Sequence, residues 1–167
     1  MNFFTFISQD GPANKGNTKG RIVTFLFRVA NYAAYKPKWK WLFYPYLAWY
    51  KLTFEWFIGM EIPYDTRIGK GLKIYHLQAI VINRSTVIGE YFTLRQSTTI
   101  GNKSSGGQSP IIGHHVEVGA QVCIIGPITI GDHVQIGAGS VVVKDLPGGS
   151  TAVGNPARIL KQDLVHE

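Results

Sequence analysis

The chain has 167 residues, of which 45% are hydrophobic and 16% charged, with 17 basic against 10 acidic side chains and one cysteine. A hydrophobic share near the globular average with modest charge excludes a disordered chain and fits one domain with a small appendage. The lone Cys123 cannot form an intramolecular disulfide, and a reducing compartment is expected.

The N-terminus lacks a basic segment ahead of an apolar core, and FFTFI at residues 3 to 7 is too short for a signal peptide, so an unsecreted, cytoplasmic protein is expected. Residues 1 to 58 hold eight Lys/Arg and two acids, a balance of +6, whereas the rest of the chain balances to +1. The aromatics divide the same way, 17 of 21 preceding Gly59. Two short helices are predicted, RIVTFLFRVANYAAY (21–35) and WLFYPYLAWYKLTFEWFI (41–58), separated by KPKWK. Pro45, Lys51 and Glu55 interrupt the longest apolar stretch, Trp41 to Met60, so it is not a membrane-spanning helix. Helices this apolar must bury against something.

From Glu61 onward, aliphatic residues recur every six positions in three phases: Ile62, Ile68, Ile74; Ile82, Ile88, Leu94, Ile100; and Ile112, Val118, Ile124, Ile130, Ile136, Val142. Gly follows seven of these thirteen (Gly69, Gly89, Gly101, Gly113, Gly119, Gly131, Gly137). A period of six suits short strands joined by tight turns, with Gly supplying special backbone angles, and it predicts a stacked solenoid. Two phase breaks mark outward turns. Two extra residues are expected around Leu77 to Val81, and the polar, glycine-rich segment 102–111 reads as a projecting loop. The predicted organisation is a helical, aromatic and basic region at 1–58, a solenoid at 59–147 and a tail at 148–167. An open solenoid end exposes apolar cross-section and unpaired edges. The helices are therefore read first as its cap. Contact with a bilayer is the second role, with Trp39, Trp41 and Trp49 at the interface and Lys36, Lys38 and Lys40 near anionic headgroups. The basic cluster is short and no nucleic-acid motif accompanies it, so no nucleic-acid partner is expected.

The IGxxxxI repeats, the GGxxP loop and GNPARIL (154–160) resemble the hexapeptide-repeat acyltransferases, strongly over roughly 59–161 and weakly at RVA (28–30). Within that family the chain resembles serine acetyltransferases and the colanic acid-type polysaccharide acetyltransferases. The resemblance implies an all-β solenoid, a left-handed parallel β-helix with a small helical N-terminal region. It also implies acetyl-CoA as acyl donor and a homotrimer with the active site between subunits.

Of the five histidines (His76, His114, His115, His133, His166), His76 stands beside the first phase break and matches the family's catalytic base. Glu61 lies fifteen residues upstream and matches the carboxylate that orients the base. By spacing Leu94 stacks over Ile74, which puts Gln96 over His76 as a substrate contact. His114 is read as a turn residue and a reserve acid/base, His133 as surface, and Cys123 as structural. No metal site is expected.

The resemblance also implies a coenzyme A groove along small residues. Ala120 and Ala138 would line it, Gly101 and Asn102 would stand at the loop base, and Arg158 and Lys161 would be phosphate contacts. The serine enzymes carry Asp directly before the base and Arg-His before the loop's Pro. Here those places hold Tyr75, Gln108 and Ser109, neutral groups suited to a sugar hydroxyl rather than a zwitterion. The expected function is acetyl transfer to a hydroxyl of a surface-polysaccharide sugar or its small-molecule or lipid-linked precursor. Serine O-acetylation is the alternative within the class, and a non-catalytic scaffold the alternative outside it.

Overall fold

The computed structural model describes residues 2–36 and 41–162. Three helical segments come first: α1 (Phe3–Ser8), α2 (Thr18–Tyr35) and α3 (Tyr44–Lys51), the last running on into a wider π-type stretch at Leu52–Ile58 that ends on left-handed Gly59. The sequence predicts the last two; α1 and its Asn2 cap carry no periodic signal. Lys38, Trp39 and Lys40 lie outside the described residues.

A parallel β-solenoid of about five turns follows, each of the first four laying one short strand on each of three faces. The first turn is β1 (Met60–Glu61), β2 (Arg67–Ile68) and β3 (Lys73–Ile74), and the second is β4 (Ile80–Ile82), β5 (Val87–Ile88) and β6 (Thr93–Leu94). The third is β7 (Thr99–Gly101), β8 (Ile111–Ile112) and β9 (Glu117–Val118), and the fourth is β10 (Cys123–Ile125), β11 (Thr129–Ile130) and β12 (Gln135–Ile136). The fifth has β13 (Val141–Val142) and β14 (Ser150–Gly154), with β15 (Ala157–Gln162) folding back antiparallel on β14. Face A is β1-β4-β7-β10-β13, face B is β2-β5-β8-β11, and face C is β3-β6-β9-β12-β14-β15.

All thirteen repeat aliphatics are buried and form one column of core per face. Cys123 is half buried on β10. The repeat glycines, however, serve a purpose the sequence reading misassigned. None of the seven has positive φ. A Cβ on Gly69 would lie 2.7 Å from the Gly89 carbonyl, and one on Gly89 2.5 Å from the Gly113 carbonyl, so these positions are glycine because the next turn passes too close for a side chain. The left-handed angles sit elsewhere at the corners, on Ala79, Ser97, Gln121 and Gly139 between faces C and A, and on Gly71, Tyr91, His115, His133 and Gly149 between faces B and C. The rings of Tyr91, His115 and His133 stack there, 4.8 and 4.7 Å apart. That ladder accounts for His133 at the surface.

The helices cap the first turn through side-chain hydrogen bonds to its backbone. Arg28 donates to the carbonyls of Ile68 (2.7 Å) and Gly69 (2.5 Å), and Asp10 accepts from the amides of Gly71 (2.8 Å) and Leu72 (3.0 Å). Asn14 and Asn17 donate to Leu72 and Ile74, Asn31 to Tyr64 and Thr66, and Tyr50 to Ile62. A strand edge left in a protein interior would strand these groups. The cap supplies their partners.

Candidate active site

His76 owes its position to a miscount in the ladder. At the corners from face C to face A, the amide of each left-handed residue donates to the residue one turn below: Gly139 to Ala120 (2.8 Å), Gln121 to Gln96 (3.0 Å) and Ser97 to Gln78 (2.9 Å). Arg95 and Gln96 therefore stack over Tyr75 and Gln78, and His76 and Leu77 are the two surplus residues. Leu94 does stack over Ile74, but Gln96 stands over Gln78, which corrects the expected contact with His76. The surplus also begins one residue earlier than the spacing suggests, since Ile80 and Val81 already pair with Met60 and Glu61. Leu77 packs against the core and His76 is exposed.

Above the bulge the same corner carries Gln96, Ala120 and Ala138 in one column, the upper two with only a methyl side chain. Gln96 Oε1 is shielded from water and accepts no hydrogen bond from the described residues. Arg158 faces Val153 at the upper end of face C, beside the end of this column, whereas Lys161 faces Thr151 farther along the strand. Tyr75, directly before His76, has the ammonium of Lys73 at 4.8 Å and the guanidinium of Arg95 at 4.3 Å from its ring centre. Neither cation forms an ion pair with another described residue. The sequence reading missed both, although adding one turn's twenty residues to Tyr75 leads to Arg95.

Glu61 is exposed on face A and opens into a groove of about 420 Å³ that also includes Lys51, Glu55, Asn83, Gly101 and Asn102. No hydrogen bond joins Glu61 to His76, and His76 does not line this groove. Burial raises the Glu55 carboxyl above its usual range, with Lys51 partly offsetting the shift. Asn102 accepts from Asn83 (3.2 Å) and donates to the Ser104 carbonyl (2.7 Å), which braces the loop base. At the other loop end Ser109 is buried with its hydroxyl 3.1 Å from that of Ser85, while Gln108 is exposed.

The loop leaves the corner from face A to face B, and His76 stands at the corner from face C to face A. Face A separates them. One chain thus groups His76 with Tyr75, and Gln96, Ala120 and Ala138 above them, and separately groups Glu61 with Gly101 and Asn102. Gln108 and Ser109 remain across the face from His76.

The third corner holds His114 in backbone work, its amide donating to Asp132 (2.6 Å) and its Nδ1 accepting from the Glu90 amide (3.1 Å). Among the described residues, no three of His, Cys, Asp or Glu gather as metal ligands. His166 lies outside those residues.

Residues 109–144 match the bacterial transferase hexapeptide family (six repeats). WcaB of Escherichia coli, named as a colanic acid biosynthesis acetyltransferase, is 41% identical over 116 residues, which cover 69% of this chain and 72% of WcaB. The chain belongs to the hexapeptide-repeat acetyltransferases. Another relative in this family, serine acetyltransferase of Helicobacter pylori, is 43% identical over 107 residues, 63% of each chain. Among solved structures, soybean serine acetyltransferase complexed with serine matches with TM-score 0.79 and 30% identity, covering 95% of this chain and 69% of that one. Serine acetyltransferase from Brucella abortus matches with TM-score 0.78 and 27% identity, covering 96% and 69%. Its sequence relatives are thus named for colanic acid biosynthesis and for serine acetylation, and these solved neighbours are serine acetyltransferases.

Proposed function

We propose that this acetyltransferase moves an acetyl group from acetyl-CoA to a hydroxyl of a surface-polysaccharide sugar or its precursor, working in the cytoplasm as a homotrimer. His76 Nε2 takes the hydroxyl proton as the oxygen attacks the thioester carbonyl. The carbon–sulfur bond then breaks, and the proton passes to the departing coenzyme A thiolate. Glu61 orients and stabilises the imidazolium when the two side chains meet in the assembled site. The column of Ala120 and Ala138 gives the pantetheine arm a smooth track, with Arg158 and Lys161 near its phosphates and Gly101 and Asn102 near the thioester.

One observation supports the sugar reading above all: the residue before His76 is Tyr75, its ring engaged by Lys73 and Arg95. An ammonium-bearing acceptor would meet two cations at the ring itself, the neighbouring carboxylate being Glu117 in the cavity that Arg95 also lines. A hydroxyl donor meets the Tyr75 ring and, one turn up the same corner, Gln96, with Gln108 supplied by a second copy, and these groups suit a sugar's faces and edges. The similarity to WcaB favours the same reading, and the loop's distance from His76 within one chain favours a site completed by a second copy. Serine O-acetylation remains the second reading because the solved neighbours are serine acetyltransferases.

The test is release of free coenzyme A thiol from acetyl-CoA by wild type and His76→Ala, first with L-serine and then with nucleotide-linked and lipid-linked sugars. Sugar-dependent release abolished by His76→Ala supports the proposal. Serine-dependent release abolished by the same substitution sinks the sugar acceptor and establishes the second reading.

A further inference from the structure

The cap's outward side is more apolar than capping requires. Along α3 and the π-type stretch, Leu47, Tyr50 and Phe54 point inward and are buried. Successive outward positions carry Trp41 (88% exposed), Tyr44 (66%), Trp49 (45%), Leu52 (50%), Trp56 (77%) and Phe57 (80%). Single apolar side chains at a surface need no explanation, but a run of this size on one segment marks a surface that something covers.

The charges beside it say what. Lys51 lies among these residues with 60% of its side chain exposed. Lys36 ends α2 exposed, and the sequence between adds Lys38, Trp39 and Lys40. From Lys36 to Ile58 four lysines face one acid, Glu55, which Lys51 approaches at 3.8 Å. Lysine is depleted from the cores of protein interfaces. Tryptophan and tyrosine mixed with lysine suit the boundary between water and an anionic bilayer, where rings sit at headgroup depth and ammonium groups meet phosphate. Among the described residues no helix is long and apolar enough to cross a membrane, so such a segment would lie in the plane of the surface.

We infer that the outward side of residues 41–57 docks this protein on an anionic lipid bilayer. The π-type stretch links that surface to the chemistry: Glu55 and Lys51 line the same groove as Glu61, and Glu61 and His76 both belong to the solenoid turn nearest the cap. Turns stack about 4.8 Å apart. Docking would therefore hold the reactive turn close to the headgroups, where a lipid-linked sugar presents its hydroxyls. The docking inference rests on surface chemistry, and only its consequence for the acceptor rests on the proposed acetyl transfer.

The experiment is flotation of the full chain with phosphatidylcholine vesicles, with and without about 30 mol% phosphatidylglycerol. Wild type is expected to bind the anionic vesicles about tenfold better than the neutral ones, and to lose most of that binding in high salt. Trp41→Ser/Trp56→Ser/Phe57→Ser should lower binding about tenfold, with circular dichroism and light-scattering mass unchanged. Lys36→Gln/Lys51→Gln leaves the apolar contacts intact and should weaken only the anionic preference, so it carries the test if the triple variant fails to fold. Wild type that stays unbound, or a triple variant that binds as well as wild type, overturns the inference. So does a drop in assembly mass in the triple variant, which would mean that the face joins copies of this chain. Sugar acetylation without vesicle binding would end this inference and spare the acetyl-transfer reading; vesicle binding without acetylation would do the reverse.

Discussion

Arg28 Nε donates to Asp10 Oδ2 at 2.7 Å with both side chains almost wholly sealed from water. Arg28 Nη2 also donates to Asp10 Oδ1 at 3.2 Å, and the pair is more than a local ion pair because both residues bond the backbone of the first solenoid turn as well. Removing one partner strands a buried charge as well as several backbone groups. Arg28→Met and Asp10→Asn should each cost about 3–5 kcal/mol in denaturant unfolding, and a loss under about 1 kcal/mol would mean that the pair is worth no more than a surface one.

His76→Ala should reduce turnover by about 10²-fold or more, the usual contribution of a general base. Binding of coenzyme A, measured by calorimetry, should stay within about twofold, because Ala120 and Ala138 lie higher on the column. A variant that keeps more than about a tenth of wild-type turnover removes His76 from the base's role.

The column of alanines makes an opposite prediction. Ala138→Leu puts a branched side chain on an exposed corner position, where the fold has room and the pantetheine track does not. KM for acetyl-CoA should rise about tenfold or more, a loss near 1.4 kcal/mol, with the melting temperature nearly unchanged. An unchanged KM would place the donor elsewhere.

Gly89→Ala should behave the other way round. Its Cβ would stand 2.5 Å from the Gly113 carbonyl, so neighbouring turns must separate, at about 1–3 kcal/mol as for other overpacking. Thermal unfolding would register this, and the same substitution at Gly101, whose φ is not positive and whose added Cβ would meet only the Asn83 Cβ at 3.4 Å, provides the control.

Glu55 predicts a pH dependence. Its folded carboxyl is held above the usual range by burial, with Lys51 opposing. A raised folded value favours the neutral form in the fold, so this stabilisation is complete below the ordinary carboxylate range and is lost as pH rises through the raised value. Relative to Glu55→Gln, wild type should therefore melt progressively lower as pH climbs through that range. Parallel curves for the two proteins would refute the assignment.

The solenoid was legible because each aliphatic column repeats one local demand, and all thirteen positions are buried as the spacing requires. Helices 21–35 and 41–58 were legible from their apolar content. What stayed hidden depended on pairing between turns. A spacing of eight between Ile74 and Ile82 shows that two residues are surplus, but only the Ser97 to Gln78 hydrogen bond identifies them as His76 and Leu77. The role of the repeat glycines was hidden for the same reason, since close approach of an adjacent turn leaves no mark that differs from a need for positive φ. Asp10 sits in a polar stretch without periodicity, and nothing local joins it to Arg28.

The surplus pair at Tyr75–Ala79 separates two kinds of constraint on this chain. Every position inside a regular turn answers to neighbours above and below, so a reactive group placed there must also satisfy the stacking. A chain shortened by His76 and Leu77 would stack without interruption at that corner. The architecture could thus be inherited intact while the inserted dipeptide is gained, altered or lost, and the reactive imidazole is free to change without rewriting a single rung.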